Sequence, residues 1–141
     1  MSDSKAVDLV RSAVDALNVG DVDGYLACFD LTCQRWVAGL AEPLDLASVS
    51  DNLSALSHAF EGLHLDEDLL FGDEHFACAR WRMRGVHPGD YLGVAPTGRS
   101  INVETREVYE IGQHLVSMSW VYGDVLGQLI EHLGVQDGGV S

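Results

Sequence analysis

Carboxylates and aromatic rings recur in the second half of the sequence at the two-residue period of β-strands. Between Ile101 and Ile111 the odd positions are the more apolar, and they include Glu107 and Tyr109. Successive side chains of a strand point to opposite faces, so Glu107 and Tyr109 are predicted to face the interior. A carboxylate beside an apolar pocket is a group that general acid/base catalysis uses.

Aromatic and methionine side chains are predicted to line that pocket. On the middle strand Trp81 and Met83 share the inward parity, while three arginines, at positions 80, 82 and 84, point the other way. On the last strand the even positions are taken as inward. The predicted lining is Trp36, Trp81, Met83, Tyr109, Met118, Trp120 and Tyr122. Such a lining fits a planar apolar ligand, and rings that only fill the core are the alternative.

Asp124 follows the last strand with the same even parity, which predicts a position at the mouth of the pocket. It also directly precedes Val125 and Leu126, where it could cap a helix by accepting a backbone hydrogen bond. A cap lowers the pKa of a carboxyl group, because the backbone donors and the helix dipole favour the anion. An aromatic cavity raises the pKa of the carboxyl group by desolvation. A base that removes a proton from carbon needs such a raised pKa. The residues alone leave both roles open.

Histidines, cysteines and serines give no sign of a metal centre or a nucleophile. The six histidines form no HxH or HExxH pair, and the three cysteines form no CxxC pair. No serine lies in a GxSxG context. Metal-free chemistry and no cofactor are therefore expected, since no GxGxxG or GxxxxGK[ST] loop follows a strand either. His87 lies beside Pro88 and Gly89 in a turn, where an exposed loop residue is the plain interpretation.

Composition limits the class of partner. The chain has 141 residues, 47% of them hydrophobic and 21% charged, which is typical of one soluble globular domain. Its net charge of −14 argues against nucleic acid as a partner, because no basic stripe could displace counterions. No apolar run is long enough for a signal peptide or a membrane span, so a cytoplasmic protein without a membrane partner is expected.

The elements that must position these residues are helices followed by consecutive strands. Helical spacing predicts a first helix that Ser2, Asp3 or Ser4 can cap and Gly20 can close. It also predicts a short second helix capped by Asp21 and reaching Phe29, and a third helix ending at Phe60 before Gly62. A short strand at 33–37 separates the second and third helices. Strands at about 63–71, 76–86, 101–111 and 115–122 follow, and a closing helix carries Val125 to Leu133. In the first of these strands one parity is mostly apolar, as in a half-buried strand, and its members are Leu63, Leu65, Glu67, Leu69 and Phe71. This order predicts an α+β fold with a mostly antiparallel sheet.

Two ordered motifs resemble a known family. The stretch GVHPGDYLGVAPTGR (85–99) is similar to the GTHxGxFxGxxPTGR signature of SnoaL-like polyketide cyclases. The run VSMSWVYGDVLGQLIEHLG (116–134) resembles that family's ending, IVExWxxxDxxGLLxQLG. With the helical first half, the resemblance covers about residues 4–135 of a single domain, and 137–141 read as a loose tail.

The resemblance implies a cone-shaped fold like that of nuclear transport factor 2, in which a bent sheet wraps around a pocket closed by helices. It also implies cofactor-free ring closure in secondary metabolism, such as antibiotic biosynthesis. Asp124 matches the aspartate that removes a proton from an activated carbon. His87, Glu107, Tyr109 or Tyr122 would then polarise the substrate. Glu107 and Glu110 stand on the strand where the family's cyclases often place amide or imidazole donors.

The resemblance leaves the reaction open between several classes. Relatives on this fold also perform epoxide hydrolysis, dehydration, isomerisation and hydroxylation, and the fold serves as a non-catalytic binding or dimerisation module. A small hydrophobic polyketide-like substrate is the expected partner. A homodimer is expected too, because sheets of this fold often pair through the face that carries Arg80, Arg82 and Arg84; solvated arginines are the alternative.

Overall fold

Three helices and five strands make up the part of the chain that the computed structural model describes, residues 4–86, 100–123 and 128. In chain order they are α1 (Lys5–Asn18), α2 (Val22–Leu26), β1 (Phe29–Val37), α3 (Leu46–Ala59), β2 (Glu61–Gly72), β3 (Phe76–Val86), β4 (Ser100–Ile111) and β5 (Val116–Tyr122). Four consecutive strands follow the helices, which confirms the α+β prediction.

Short polar side chains start each helix. The side chains of Ser4, Asp21 and Asp45 each accept a hydrogen bond from the backbone N–H three residues later, at 3.2, 2.9 and 2.8 Å. These bonds satisfy donors that lack an intrahelical partner. Gly20, at φ 82°, follows the end of α1, where a residue with a side chain would be strained. The predicted caps Ser4 and Asp21 and the stop at Gly20 are confirmed.

Two predicted helix ends were placed too far along the chain. Phe29 was expected in the second helix but begins β1, where it pairs with Val116 of β5. The carbonyl of Cys28 also accepts the N–H of Val116 at 3.0 Å, so sheet pairing takes over directly after α2. Phe60, expected in the third helix, is the extended residue that ends α3.

The strands form one open sheet in the order β1-β5-β4-β3-β2. All neighbours are antiparallel except β1, which runs parallel to β5. We call the face that carries Arg35, Trp81 and Glu107 the inner face, and the face that carries Arg82 and Trp120 the outer face. Helix α1 contacts β2, β3 and β4, and α3 contacts β1 and β2. The buried stripe of α1, including Val7, Val10 and Val14, packs into the main core against the inner face.

An irregularity in β2 changes which residues face inward. Glu67 pairs with Trp81 and Leu69 pairs with Arg80, so Asp68 is an extra residue in the ladder. One extra residue moves the following side chains to the opposite face. Leu69 and Phe71, predicted to share the inward parity of Leu65, are therefore 46% and 56% exposed. The prediction of one continuous parity is wrong beyond this bulge.

A second irregularity reverses the predicted facing of β5. Ile111 pairs with Val116 and Glu110 pairs with Met118, which leaves Ser117 as the extra residue. The side chains buried beyond this bulge are those of the odd residues Ser119 and Val121. The residues predicted to line the pocket from this strand lie on the outer face instead, and these are Met118, Trp120 and Tyr122.

Candidate functional site

A buried ion pair lies on the inner face of the sheet. Arg35 of β1 donates from Nη2 to Oε1 of Glu107 on β4 at 2.9 Å. The side chain of Glu107 is only 4% exposed and that of Arg35 is 20% exposed. Two unlike charges removed from water compensate each other, whereas either one alone would be strongly unfavourable there. The pair therefore holds two distant strands of the sheet together through their side chains.

The second oxygen of this carboxylate has no hydrogen-bond partner among the described residues. Oε2 of Glu107 is buried and makes no hydrogen bond within the described residues. Buried carboxylate oxygens are normally hydrogen-bonded, so an unpartnered one calls for an explanation. The hydroxyl oxygen of Ser119, on neighbouring β5, is the other such atom. Both atoms lie on the inner face.

Two tyrosine hydroxyl groups surround the ion pair. The hydroxyl of Tyr25 accepts from Arg35 Nη1 at 3.2 Å, and that of Tyr109 accepts from Trp81 Nε1 at 2.9 Å. A hydroxyl that accepts one hydrogen bond still has its own hydrogen to donate. The inner face therefore offers two phenol donors near one carboxylate acceptor.

The surroundings keep these tyrosines neutral. Burial raises the pKa of Tyr109 well above its ordinary value, and the negative charge of Glu107 raises it further. Burial also raises the pKa of Tyr25. Burial acts to lower the pKa of Arg35, but the attraction of Glu107 and the smaller contributions of Tyr25 and Tyr109 together outweigh it, so the pKa is raised. At neutral pH both tyrosines are hydrogen-bond donors and Arg35 is a cation.

These groups line a cavity of about 180 Å³ between the inner face and the helices. Its polar lining is Tyr25, Arg35, Asn52, Trp81, Thr105, Glu107 and Tyr109. The rest is apolar, with Leu17, Leu53, Leu56, Leu65, Met83 and Val103 among the walls. A hollow of about 510 Å³ adjoins it and shares Leu17, Leu53, Leu56, Leu65 and Met83. An apolar cavity with a few convergent polar groups is the usual form of a small-molecule site.

The structure brings together some of the site residues predicted from sequence. Glu107, Tyr109, Trp81 and Met83 all line the cavity, as their strand parity predicted. The others do not. Trp36 pairs with Trp120 across β1 and β5 and is 39% exposed on the outer face, so it does not line the cavity. Met118, Trp120 and Tyr122 are also excluded, because of the bulge at Ser117. His87 and Asp124 lie outside the described residues.

Sequence reasoning missed Arg35 and Tyr25. The sequence contained a signal for Arg35, because Cys33, Arg35 and Val37 alternate along β1. A strand that buries the apolar residues Cys33 and Val37 must also place Arg35, which lies between them, on the same face. Trp36 was taken as inward because of its residue type, and this hid the pattern. Tyr25 lies within the predicted second helix, but its contact with Arg35 depends on the tertiary structure.

The described ranges contain no group of three or more His, Cys, Asp or Glu side chains arranged to hold a metal ion. None of the helices in that part of the chain is long and apolar enough to cross a membrane.

Several solved structures share this fold. AclR from Streptomyces galilaeus, a candidate hydroxylase, superposes with a TM-score of 0.85 at 20% identity over 96% of this chain and 88% of that one. TsrD from Streptomyces laurentii gives 0.79 at 22% identity over 96% and 99%. IdmH from Streptomyces antibioticus, a candidate polyketide cyclase, gives 0.74 at 20% identity over 86% and 96%. No curated protein sequence matches the chain.

The fold is thus the one found in proteins related to nuclear transport factor 2, with an open curled sheet and covering helices, as the motifs implied. The sequence profile described as SnoaL-like polyketide cyclase matches residues 7–131. That range contains all five strands and the whole described lining of the cavity. The chain belongs to the SnoaL-like polyketide cyclase family.

Proposed function

We propose that this chain is a cofactor-independent enzyme that closes a ring within a polyketide-like substrate by acid/base catalysis. The observation that carries the proposal is the cavity with apolar walls in which Tyr25, Tyr109 and Glu107 converge. Apolar walls suit the carbon skeleton of such a substrate, and the polar groups suit its carbonyl and hydroxyl oxygens.

The reaction needs a base and a hydrogen-bond donor. A base removes a proton from a carbon next to a carbonyl, and the resulting enolate carbon attacks a second carbonyl of the same molecule. A carbon–carbon bond forms, and the second oxygen takes up a proton. The neutral hydroxyls of Tyr109 and Tyr25 can donate to an oxygen on which negative charge develops, and donors held in place before the reaction favour such charge.

We assign the proton removal to Asp124, which matches the aspartate of the family's second motif. Gln128, four residues after Asp124 in the sequence, contacts β4 through its side chain. Its side chain accepts from the backbone N–H of Glu104 at 3.1 Å and donates to the carbonyl of Glu104 at 2.8 Å. Glu104 lies between the lining residues Val103 and Thr105. His87, from the first motif, is a second proposed polarising group.

Hydrogen–deuterium exchange of a simple ketone tests this chemistry. The bicyclic ketone 2-tetralone is incubated with the protein in D₂O, and the loss of its α-hydrogen signals is followed by NMR. We expect exchange that is faster than in buffer and saturates with ketone concentration. Exchange no faster than in buffer would contradict the proposed proton transfer, and saturable binding without exchange would favour a binding module.

Three variants separate the roles. Asp124→Asn should lower the exchange rate by about 10²–10⁴-fold, the usual effect of removing a proton-transfer group. It should keep the stability within about 1 kcal/mol, because asparagine caps a helix nearly as well as aspartate. Tyr109→Phe should lower the rate by about 10²–10³-fold if its hydroxyl stabilises the enolate. Glu110→Gln, on the outer face of β4, is the control and should leave the rate unchanged. A normal rate in Asp124→Asn would contradict the assignment of the base.

A further inference from the structure

The charges of the described residues that line the cavity balance each other before any ligand arrives. Arg35 carries one positive charge and Glu107 one negative charge, and the two are in contact at 2.9 Å. Tyr25 and Tyr109 are neutral there, since burial raises the pKa of both. A second carboxylate beside Glu107 would bring two like charges together away from water, which is unfavourable. The cavity is therefore suited to an uncharged ligand.

One oxygen of the Glu107 carboxylate lacks a hydrogen-bond donor in the part of the chain that the structure describes. Oε1 accepts from Arg35, while Oε2 is buried and has no partner there. Leaving such an atom unpaired is unfavourable, and a bond to a charged acceptor is stronger than one between neutral groups. The terminal torsion of a glutamate is soft, so the carboxylate can turn towards a donor in the cavity that it lines. A ligand hydroxyl group would supply the missing hydrogen.

The apolar walls and the volume of the cavity determine the size and polarity of the remainder of the ligand. A dry cavity of about 150 Å³ accepts a benzene ring. The cavity here is about 180 Å³, and the adjoining hollow of about 510 Å³ shares five apolar wall residues with it. A flat molecule of two fused rings fits this space, with one ring among the leucines and the other near the polar groups.

We infer that Glu107 is a specificity-determining residue of the cavity and accepts the hydrogen of a hydroxyl group of the ligand. Tyr109 and Tyr25 donate to an oxygen of the same ligand, such as a carbonyl. The inference rests on the proposed function, because it treats this cavity as the substrate site. It adds to that function one residue, Glu107, that distinguishes a ligand with a hydroxyl donor from one without.

Binding of three probes of similar size tests the inference. 2-Naphthol is neutral at pH 7 and has a hydroxyl donor, 2-methoxynaphthalene has no donor, and 2-naphthoate is an anion. Isothermal titration calorimetry should show 2-naphthol binding about 10- to 100-fold more tightly than either of the others, as one hydrogen bond to a charged group predicts. Equal binding of 2-naphthol and 2-methoxynaphthalene, tightest binding of 2-naphthoate, or no binding of any probe would overturn the inference.

A variant with an uncharged side chain at position 107 sharpens the test. Glu107→Gln keeps the size of the side chain but leaves Arg35 unbalanced, so the preference should invert, with 2-naphthoate gaining and 2-naphthol losing affinity. Glu110→Gln makes the same change of charge on the opposite face of the same strand and should keep the original preference. Unchanged preference in Glu107→Gln would overturn the role of this carboxylate.

These measurements use no turnover, so their outcome is separate from that of the ketone exchange. Selective 2-naphthol binding without ketone exchange would uphold the specificity of the cavity and reject the proposed enzyme. Ketone exchange with no preference for 2-naphthol would do the reverse.

Discussion

The two faces of the sheet carry ion pairs of the same chemistry in different surroundings. On the outer face Arg82 and Arg84 pair with Asp68 and Asp66 at 3.0 and 2.6 Å, and all four side chains are a quarter to a half exposed. On the inner face Arg35 and Glu107 pair at 2.9 Å and are mostly buried. The distances are alike, so the solvent around each pair decides what it contributes.

Water screens the outer pairs and leaves the inner pair in a low dielectric. An exposed pair gains little from attraction, because both partners are also well solvated when apart. An intact buried ion pair contributes about as much to stability as apolar side chains of the same size would. Removing one partner leaves an uncompensated buried charge, which is strongly destabilising. The inner pair is thus suited to holding polar groups in place beside a ligand, and the outer pairs are suited to solubility. The following predictions test this contrast, from the largest expected effect to the smallest.

Removing one partner of the inner pair should have the largest effect. Arg35→Ala leaves the buried carboxylate of Glu107 without a compensating positive charge and should lower the free energy of unfolding by about 3–5 kcal/mol. Urea denaturation followed by circular dichroism measures this loss. The double variant Arg35→Met with Glu107→Leu removes both charges and should recover most of the stability. A loss below about 1 kcal/mol in the single variant would show that the inner pair behaves like an exposed one.

The buried thiol of Cys33 should react about a hundredfold more slowly near neutral pH than an ordinary cysteine thiol. Cys33 lies buried on the inner face, and burial raises its pKa from 9.0 to about 11. Cys78, on the outer face, is partly exposed. Since only the thiolate reacts, two pKa units reduce the reactive fraction of Cys33 about a hundredfold near neutral pH.

The test uses variants that retain one thiol each, with the other two cysteines changed to serine. Iodoacetamide labelling is followed by mass spectrometry from pH 7 to 11. The rate for Cys33 should rise with pH until about 11, where its thiol becomes ionised. The native state also binds the Cys33 proton more tightly than the unfolded state between pH 9.0 and about 11, so stability should fall with pH over that window. Equal labelling of both thiols at neutral pH would contradict the difference between the faces.

Tyr109→Phe should have an intermediate effect on stability. It removes the acceptor of the Trp81 indole N–H, which is buried and bonded at 2.9 Å. An unsatisfied buried donor costs about 1–3 kcal/mol. Thermal and urea denaturation measure the change, and Tyr122→Phe on the outer face is the matched control, with an expected change near zero. Equal stability of both variants would mean that Trp81 finds another partner.

Removing an outer arginine should have the smallest effect. Arg82→Ala breaks the contact with Asp68, and we expect a change below about 1 kcal/mol because both side chains are exposed. The change should shrink further in concentrated salt, which screens surface charges. A loss comparable to that of Arg35→Ala would remove the distinction between the two faces.

The middle of the sheet could be predicted from its residues. Strands β3 and β4 pair without a register shift from Phe76 to Val86, so alternation alone assigned the inward side chains Trp81, Met83, Glu107 and Tyr109. The caps Ser4 and Asp21 were equally visible, because capping depends on a few adjacent residues. The ordered motifs 85–99 and 116–134 indicated the family that the sequence profile shows.

The edges of the sheet could not be predicted in this way. Asp68 and Ser117 look like ordinary strand residues, and only the pairing of neighbouring strands turns each into an extra residue. One extra residue moves every following side chain of the strand to the opposite face of the sheet. This is why Trp120 and Tyr122 were assigned to the pocket, although Ser119 and Val121 occupy the inner face.

The sequence by itself determined the elements, the α+β class, the acidic surface and the parity of β3 and β4, because each depends on residues near one another in the chain. Only the tertiary structure decided which charges meet. Arg35 and Glu107 are 72 residues apart in the chain. They meet because β1 and β4 lie on either side of β5 in one sheet, where the long side chain of Arg35 reaches Glu107 across the inner face. Local periodicity carries no information on strand order. The cavity chemistry therefore became visible only when the strands were placed side by side.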